Sequence, residues 1–318
     1  MNSQKKFLDR RAFLKTSALI SGAFFISPKF SFKQQDSPVT KIIDEASRSP
    51  VVASRLAANL TLLTGSGGNI ILMNGRDSNL LVDAGIDVSR EKMKAAIAGI
   101  SKAPLRHLVN THWHFDHSSG NAWIHDEGAE ITAHENTKKW MSQAVRVDDW
   151  NYNFPAAPAG ALPTVVFAKE HKIEFEGHTL HLNHYGPAHT DSDIAVHFRD
   201  HDVLHVADTW WNGHYPFIDY NTGGGIHGMI RAAEENVKRA GKKTIIVPGH
   251  GPVGNKAELI EYRDMLVAIE QTISGLKKSG RNLEDVLAEK PTKRYDEKWG
   301  DFVIGPDFFT RLVYKGIA

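Results

Sequence analysis

The order of segments along the chain predicts an α/β fold, with both α/β and α+β character, in which layers of helix flank mixed β-sheets. Near the beginning, three short apolar runs are separated by turn-forming glycines, which predicts antiparallel strands at a sheet edge. Helical and strand-like segments then alternate, as in layered α/β proteins. The predicted strands cover residues 60–63, 69–73, 79–82, 106–110, 130–133, 165–167, 173–175, 179–182, 194–198, 203–207 and 244–247, and the predicted helices cover 89–102, 135–145, 226–240 and 256–278.

Residue spacing supports the individual elements. In the first predicted helix, Met93, Ile97 and Ile100 recur every three or four residues, which is typical of an amphipathic helix. Residues 148–163 have neither a helical nor a strand period and combine aromatics with prolines, which predicts a long loop. The aromatic side chains of this loop either cover an apolar part of a substrate or pack on the sheet; they are Trp150, Tyr152 and Phe154.

The densest group of chemically active side chains is the run His112-Trp113-His114-Phe115-Asp116-His117, which follows a predicted strand. Imidazole and carboxylate groups are suitable Zn²⁺ ligands. Two histidines separated by one residue can turn toward one ion while the Asp-His pair reaches a second. A polar turn with locally hydrogen-bonded histidines is the structural alternative, but four ligand-type residues in one short run favour metal binding.

Three further candidate ligands lie downstream, each beside an apolar, strand-like run. His189 lies in a turn-rich segment, Asp208 ends the run 203–207, and His250 follows the run 244–247. Rigid scaffolds hold functional groups where strands meet loops. A two-metal site needs about seven or eight protein ligands, and these residues complete a set of that size.

With these motifs, the sequence closely resembles the metallo-β-lactamase superfamily. The resemblance spans roughly residues 55–260 and rests on five ordered motifs: Asp83 in Leu81-Val82-Asp83-Ala84-Gly85, the HxHxDH run, His189, Asp208, and His250 in Pro248-Gly249-His250-Gly251. It implies a four-layer αββα sandwich with metals at one edge between the two sheets.

The resemblance also assigns the seven ligands to two metals that share one carboxylate: His112, His114 and His189 on the first, Asp116, His117 and His250 on the second, and Asp208 between them. Nitrogen and oxygen donors suit two Zn²⁺ ions, with Fe or Mn as alternatives. The best-known β-lactamases of the family carry Cys at the corresponding ligand position. This chain has no Cys, which argues against their commonest subclass.

The implied activity is hydrolysis by a hydroxide that bridges the metals, while the metals polarise a carbonyl. Asp116 is the expected catalytic residue, because it would orient the hydroxide and carry its proton. The expected partner is a small-molecule substrate with a lactam, lactone or ester carbonyl, and β-lactamase-like activity is one version of this hypothesis.

Two sets of supporting residues are expected around the ligands. Ligand imidazoles would be hydrogen-bonded by Asp83, Thr190 and Asp193, with ordinary turn capping as the alternative. The substrate rim would be formed by the loop after Asp208 and by the aromatic loop; the rim residues are Asn212, His214, Trp150 and Tyr152.

Two alternatives to hydrolysis stay open. One is an iron-dependent redox enzyme on the same fold, although diiron oxygen reducers of the family usually carry Glu where this chain has His114. The other is a non-catalytic periplasmic binding protein that kept the fold. Nucleic acid is not an expected partner, because the basic excess of the chain belongs to its first residues. Removing the seven Lys or Arg and one Asp of residues 1–33 from 38 basic and 37 acidic residues leaves a formal charge of −5.

Residues 1–33 are predicted to be a twin-arginine export signal. Arg10-Arg11 precede an apolar run at 16–26 that is too short to span a bilayer comfortably; a basic tail or membrane anchor is the alternative. Residues 34–318 then form a single periplasmic or secreted domain with no stable membrane anchor and with a C-terminal helical tail. Tail aromatics would pack on the sandwich or form a homodimer contact; they are Trp299, Phe302, Phe308 and Phe309.

Overall fold

The structure, a computed structural model, describes residues 37–318, so the predicted export signal lies outside the described residues. In the described part of the chain the strands are β1 (Val52–Arg55), β2 (Leu60–Thr64), β3 (Ile70–Asn74), β4 (Asn79–Val82), β5 (Leu105–Val109), β6 (Glu130–His134), β7 (Val145–Val147), β8 (Tyr152–Phe154), β9 (Val165–Phe167), β10 (Glu170–Phe175), β11 (His178–Asn183), β12 (Ala195–Phe198), β13 (Val203–Trp211) and β14 (Ile245–His250). The α-helices are α1 (Pro38–Arg48), α2 (Arg90–Ile100), α3 (Phe115–Ser118), α4 (Asn121–Asp126), α5 (Glu135–Met141), α6 (Ile226–Arg239), α7 (Lys256–Lys278), α8 (Leu283–Glu289), α9 (Asp296–Trp299) and α10 (Pro306–Lys315).

Most of these strands form two mixed sheets. One sheet has the order β1-β2-β3-β4-β5-β6-β9, and the other has the order β10-β11-β12-β13-β14. Strands β1 to β4 pair antiparallel, as the glycine-separated runs predict, and β4, β5, β6 and β9 run parallel. In the second sheet only β13 and β14 pair in parallel among the described strands. The predicted mixed sheets are confirmed.

Side-chain alternation along the strands creates three apolar layers. In β3, Ile71 and Met73 enter the cluster between the sheets, whereas Ile70 and Leu72 pack on the opposite side against α2 and α4. In β13, Leu204 belongs to a third cluster, which includes buried residues of α6 and α7. Each large aliphatic side chain buried in this way contributes about 1.5–3 kcal/mol. Helix, sheet, sheet and helix therefore stack in the expected αββα order.

Two predictions for the middle of the chain are wrong. The helix expected at 135–145 ends at Met141, and the predicted loop at 148–163 contains strand β8, which pairs antiparallel with β7 to form a small hairpin. Trp150 and Phe154 are buried, because their rings pack on Phe115. Aromatic packing therefore gives order to a segment that has no clear sequence period.

Helix α1 was not predicted, although its start follows a familiar pattern. Ser37 is the N-cap and accepts from the backbone N–H of Val39, and Pro38 occupies the first helical turn. Ser37 Oγ also donates to the carbonyl of Trp150 at 2.6 Å. This contact ties the helix to the small hairpin. Helix α7 agrees with its predicted bounds and begins with a capping box formed by Asn255 and Glu258.

The C-terminal tail packs on the helices of the second sheet. Phe309 in α10 and Trp299 in α9 are buried in the same cluster as α6 and α7. Phe308 is partly buried, whereas Phe302 is 44% exposed. The four tail aromatics therefore do not form one continuous exposed patch. Among residues 37–318, none of the helices combines the length and apolar character needed to cross a membrane.

Candidate metal centre

The first four candidate ligands follow β5. After the strand ends, His112 and His114 lie in the connecting loop, and Asp116 and His117 lie in the short helix α3. All four side chains are buried, with His112 and His117 completely inaccessible. The run at residues 112–117 therefore follows the end of a strand, as predicted.

The other three ligands come from the second sheet. His189 lies in the loop between β11 and β12, and His250 is the last residue of β14. Asp208 was expected at the end of its strand, but β13 continues to Trp211. The pairing of β13 with β14 changes register here, and Ala207 has a φ of 46°. This irregularity places Asp208 beside the histidines although the strand continues past it.

The seven side chains converge into two adjoining groups of ligand atoms. Within each group the atoms lie within 4.8 Å of one another: His112, His114, His189 and Asp208 form one group, and Asp116, His117 and His250 form the other. Asp208 connects the groups. Its Oδ2 lies 3.4 Å from Nε2 of both His189 and His250, and its Oδ1 lies 3.1 Å from Nε2 of His117.

Hydrogen bonds fix how the histidines of the first group face each other. Nδ1 of His189 lies 2.8 Å from the carbonyl of Phe217, which can only accept, so this nitrogen donates and Nε2 carries a lone pair. Nε2 of His114 lies 3.1 Å from the carboxylate of Asp219, which leaves its Nδ1 as a lone pair. These two lone pairs are only 2.8 Å apart. A metal ion bound beside these two nitrogens, or a proton shared by them, would remove the repulsion between the lone pairs.

His112 and His117 are oriented through Asp83. The hydroxyl of Thr111 donates to Asp83 and lies 3.1 Å from His112 Nδ1, so it accepts from that nitrogen. His117 Nδ1 donates to Asp83 at 2.8 Å. Both histidines then present Nε2 to the cluster. These nitrogens, with His250 Nε2 and Asp208 Oδ1, are buried and have no hydrogen-bond partner among the described residues.

The electrostatics of the cluster also show a need for positive charge. Burial lowers the pKa of His250, but Asp208 and Asp116 outweigh this effect and raise the pKa to about 9. Burial likewise opposes the charge on His117, but the same carboxylates hold its pKa well above the usual value. In contrast, burial lowers the pKa of His189 to about 4. A proton and a metal would compete for the nitrogens of His117 and His250.

The donor set fits metal ions. Unpaired, buried imidazole nitrogens and carboxylate oxygens converge on two adjacent positions, which is costly without a bound cation. Three histidines with Asp208 would hold one ion, and Asp116, His117 and His250 with Asp208 would hold the second. Nitrogen and oxygen donors without thiolate suit Zn²⁺, Fe or Mn.

Two glycines allow the backbone to approach the ligands. A Cβ at Gly249 would lie 1.8 Å from Oδ1 of Asp208, and a Cβ at Gly68 would lie 2.2 Å from the ring of His117. Neither contact is sterically possible, and the nearest Gly249 neighbours also include backbone atoms. These positions must therefore lack a side chain for the ligands to keep their places.

The three expected supporting residues have different hydrogen-bond partners in the structure. Asp83 contacts a ligand imidazole directly, with a φ of 68° that is uncommon for a residue other than glycine. The hydrogen bonds of Thr190 and Asp193 instead run to each other: the Thr190 backbone N–H and hydroxyl donate to the Asp193 carboxylate at 2.9 and 2.6 Å. This pair stabilises the turn that carries His189, and its hydrogen bonds do not run to a ligand ring.

Sequence reasoning missed Asp219, whose carboxylate is the hydrogen-bond partner of His114. Asp219 is completely buried and also accepts from Thr222 Oγ1 at 2.7 Å. Burial raises its pKa, but the hydrogen bond from His114 outweighs this effect and the pKa lies below its usual value. Asp219 lies in the same loop as the rim candidates Asn212 and His214. An acidic residue in a loop next to the candidate ligands was the sequence feature that could have indicated its role.

The expected rim residues occupy different environments. Asn212 is buried, and its side-chain amide donates to the carbonyl of Pro252 at 2.8 Å. Trp150 is buried against Phe217, and Tyr152 is partly buried beside Phe154. The Asn212 backbone N–H also donates to the carbonyl of the ligand His250 at 2.9 Å. Burial and the charge of His250 lower the pKa of His214 to about 4.

Comparison with known proteins identifies the family. A model of the metallo-beta-lactamase superfamily matches residues 63–250, more than half of the chain. The chain therefore belongs to the metallo-β-lactamase superfamily. It is a metallohydrolase of that superfamily, and its predicted fold is confirmed.

Individual relatives are distant. The acyl-coenzyme A thioesterase MBLAC2 of Bos taurus is 24% identical over 209 residues, which cover 59% of this chain and 74% of the relative. A metallo-beta-lactamase from Pontibacter korlensis has a TM-score of 0.55 at 18% identity and covers 68% of this chain and 99% of its own. The sec-alkylsulfatase Pisa1 from Pseudomonas sp. has a TM-score of 0.62 at 15% identity and covers 86% of this chain and 51% of its own. At these identities the solved structures support the fold alone.

Proposed function

We propose that this protein is an exported dinuclear zinc hydrolase that breaks the bond between the carbonyl carbon and its oxygen, sulfur or nitrogen substituent in a small ester, thioester, lactone or lactam. The single observation that carries the proposal is the inward orientation of the ligand lone pairs, above all the 2.8 Å approach of His189 Nε2 to His114 Nδ1. Bound divalent ions at such a site activate water and polarise a carbonyl oxygen.

In the proposed reaction, Asp116 accepts a proton from the attacking water and passes it on. Its Oδ2 lies 3.2 Å from His250 Nε2 and 3.6 Å from His117 Nε2. Burial raises the pKa of Asp116, but these two histidines more than offset it, so the carboxylate is ionised at neutral pH. An ionised carboxylate at the edge of the cluster can orient a water molecule by accepting its proton.

The proposed substrate class is supported by the relatives. The bovine relative is a thioesterase of acyl-coenzyme A, and one solved relative is a β-lactamase. Thioester and lactam hydrolysis both add water to a carbonyl. The same fold hosts many chemistries, so the panel of substrates must be broad.

The test is hydrolysis by purified protein, with and without a chelator, of a β-lactam, a homoserine lactone, a nitrophenyl ester and an acyl thioester. We expect zinc-dependent turnover of at least one compound. Asp116→Asn should lower kcat by about 10²–10⁴-fold. Metal content measured on the same variant separates loss of the proton carrier from loss of the second ion, which Asp116 would also hold. Asp200→Asn, at an exposed ion pair with His178, is the matched control and should leave kcat unchanged.

Absence of turnover across the panel by zinc-loaded protein, or turnover indifferent to the chelator, would contradict the proposal. Elemental analysis of protein expressed without added zinc addresses the alternative of an iron redox enzyme, for which iron would predominate. A metal-loaded protein that binds substrates without converting them would be a non-catalytic binding protein.

Export rests on the sequence of residues 1–33, with Arg10-Arg11 before an apolar run. We propose that this segment directs twin-arginine export to the periplasm or beyond. Cell fractionation should find the protein outside the cytoplasm. The double variant Arg10→Lys, Arg11→Lys should retain it inside, and unchanged export of that variant would disprove the assignment.

A further inference from the structure

We propose that the C-terminal segment Trp299–Phe309, here named the tail wall, forms a substrate-facing wall beside the metal centre, and that Phe302 binds an apolar acyl group of the substrate. This inference rests on the proposed hydrolysis of a carbonyl compound and deepens it. It adds that the group attached to that carbonyl is apolar.

Phe302 stands beside the second group of ligands. Its ring stacks on His214, with centroids 4.4 Å apart and an interplanar angle of 28°. It also meets Trp211 edge-on at 5.9 Å and lies 6.3 Å from the ring of the ligand His250. Trp211 in turn packs on His250 at 4.4 Å. These rings form a contiguous aromatic cluster that joins the exposed ring of Phe302 to the ligand His250 through the buried Trp211.

The exposure of Phe302 distinguishes it from the other tail aromatics. With 44% of its surface accessible, it is one of four exposed large hydrophobic residues in the described chain, the others being Val52, Val88 and Val166. The ring of Phe302 lies with its centroid 6.3 Å from that of the ligand His250. An apolar ligand that covers this ring would remove apolar surface from water, which is favourable in proportion to the area covered.

The tail wall is rigidly attached, so Phe302 has a defined position. The backbone N–H of Tyr215 donates to the carbonyl of Trp299 at 2.8 Å, and the Tyr215 hydroxyl donates to Asp296 at 2.9 Å. The Tyr215 ring stacks on Phe309, with centroids 4.7 Å apart and an angle of 9°. Ile304, two residues after Phe302, is buried. Anchors therefore lie on both sides of the exposed ring.

The tail wall also extends toward the first group of ligands. Phe308 lies 6.3 Å from the ring of Phe217, which in turn lies 6.2 Å from the ligand His114. The family match ends at residue 250, well before this segment. The chain thus adds its own aromatic surface to ligands that the family supplies, which is where a preference for particular substrates would arise.

The experiment measures binding of two carboxylates, octanoate and acetate, to zinc-loaded protein by calorimetry. They represent acyl products with and without an apolar chain, and the readout does not depend on turnover. We expect wild-type protein to bind octanoate about tenfold more tightly than acetate. Phe302→Ala should weaken octanoate binding about five- to tenfold and change acetate binding less than about twofold, while Phe302→Leu should restore most of the difference.

Val166→Ala, at an exposed position on β9, is the matched control and should change neither affinity. Metal content, measured for every variant, should be equal. The inference fails if wild-type protein shows no preference for octanoate, or if Phe302→Ala binds octanoate as wild type does. It also fails if that variant loses both carboxylates equally. If only the proposed hydrolysis is wrong, the result is different. The protein would still prefer octanoate, and this preference would still depend on Phe302, but no compound of the substrate panel would be hydrolysed.

Discussion

The metal centre and the tail wall are held in place by different interactions. The metal floor, which consists of the seven donor residues, is fixed by directional hydrogen bonds such as those of Asp83 and Asp219 to ligand histidines. The tail wall is fixed mainly by aromatic packing around Tyr215. Directional hydrogen bonds hold the lone pair of a ligand within the narrow range of orientations that a metal requires. Packing between aromatic rings gives a surface that is apolar but less specific in geometry. Chemistry and substrate preference therefore depend on separate parts of the molecule.

The largest effect on metal content and activity should come from replacing Asp208, which lies between the two groups of donors in the metal floor. Asp208→Ala removes the carboxylate that connects both groups of donors and leaves the inward-facing histidine nitrogens without their shared anion. We expect loss of at least one metal equivalent and a fall in kcat/KM of about 10³-fold or more. Elemental analysis and steady-state kinetics measure these effects, with Asp200→Asn as the control. Full metal content and activity in Asp208→Ala would show that the floor is not organised as described.

A smaller effect should follow when one orienting bond of the floor is altered. Asp219→Asn keeps the shape of the side chain but removes the charge that faces His114 Nε2. Partners of this kind typically change metal affinity by about 10–100-fold. Competition with a chromogenic chelator measures that loss. Asp200→Asn serves for comparison, because Asp200 pairs with the exposed His178 rather than with a ligand ring, and it should leave metal affinity nearly unchanged. Equal losses in the two variants would remove the distinction between them.

The charge balance of the floor predicts how metal binding depends on pH. Because the pKa of His250 is raised from 6.5 to about 9, its bound proton stabilises the metal-free protein fully below about pH 6.5. That stabilisation is lost as the pH rises through about 9. Metal must displace the same proton, so affinity should increase between these values by up to about tenfold per pH unit for each proton released.

Chelator competition at several pH values tests this trend, and calorimetry in buffers of different ionisation enthalpy counts the protons. The melting temperature of metal-free protein should fall over the same interval. A metal affinity that is constant with pH would show that His250 does not carry the proton.

The smallest effect should come from the anchor of the wall. Tyr215→Phe removes the hydroxyl that donates to Asp296 but keeps the ring stacked on Phe309. We expect a loss of about 1 kcal/mol in the free energy of unfolding, because one hydrogen bond is lost and the carboxylate partner is partly accessible to water. Metal content should be unchanged. Thermal unfolding measures the loss, and a drop in metal content would mean that wall and floor are coupled.

The same difference explains how much of the site could be predicted from sequence. Metal chemistry restricts the ligands to a few residue types, and four of them are neighbours in one run, so the HxHxDH motif is visible without a structure. Asp219 was not predicted because it is 105 positions from His114, and no local pattern links the two. Phe302 was noted only as one of four tail aromatics. Its exposure beside His250, in contrast to the buried Trp299 and Phe309, depends on tertiary packing.

The fold shows a similar division. Short apolar strands that follow a turn, such as the fully buried β4, and helices with strong caps, such as α7, agree with the predicted bounds. The hairpin of β7 and β8 was not predicted, because each strand has only three residues and prolines follow closely. Such short strands are stabilised by the aromatic side chains that they bury, rather than by local propensity.

The absence of a side chain at Gly249 restricts how this protein can be diversified. Even a methyl group at this position would overlap the carboxylate of Asp208 and the adjacent backbone. Every substitution of Gly249 in a mutagenesis library should therefore impair metal binding. The residue would then score as essential in a functional screen while contributing no donor atom. Libraries that seek new substrates are better directed at exposed positions of the tail, where replacement leaves the coordination geometry alone.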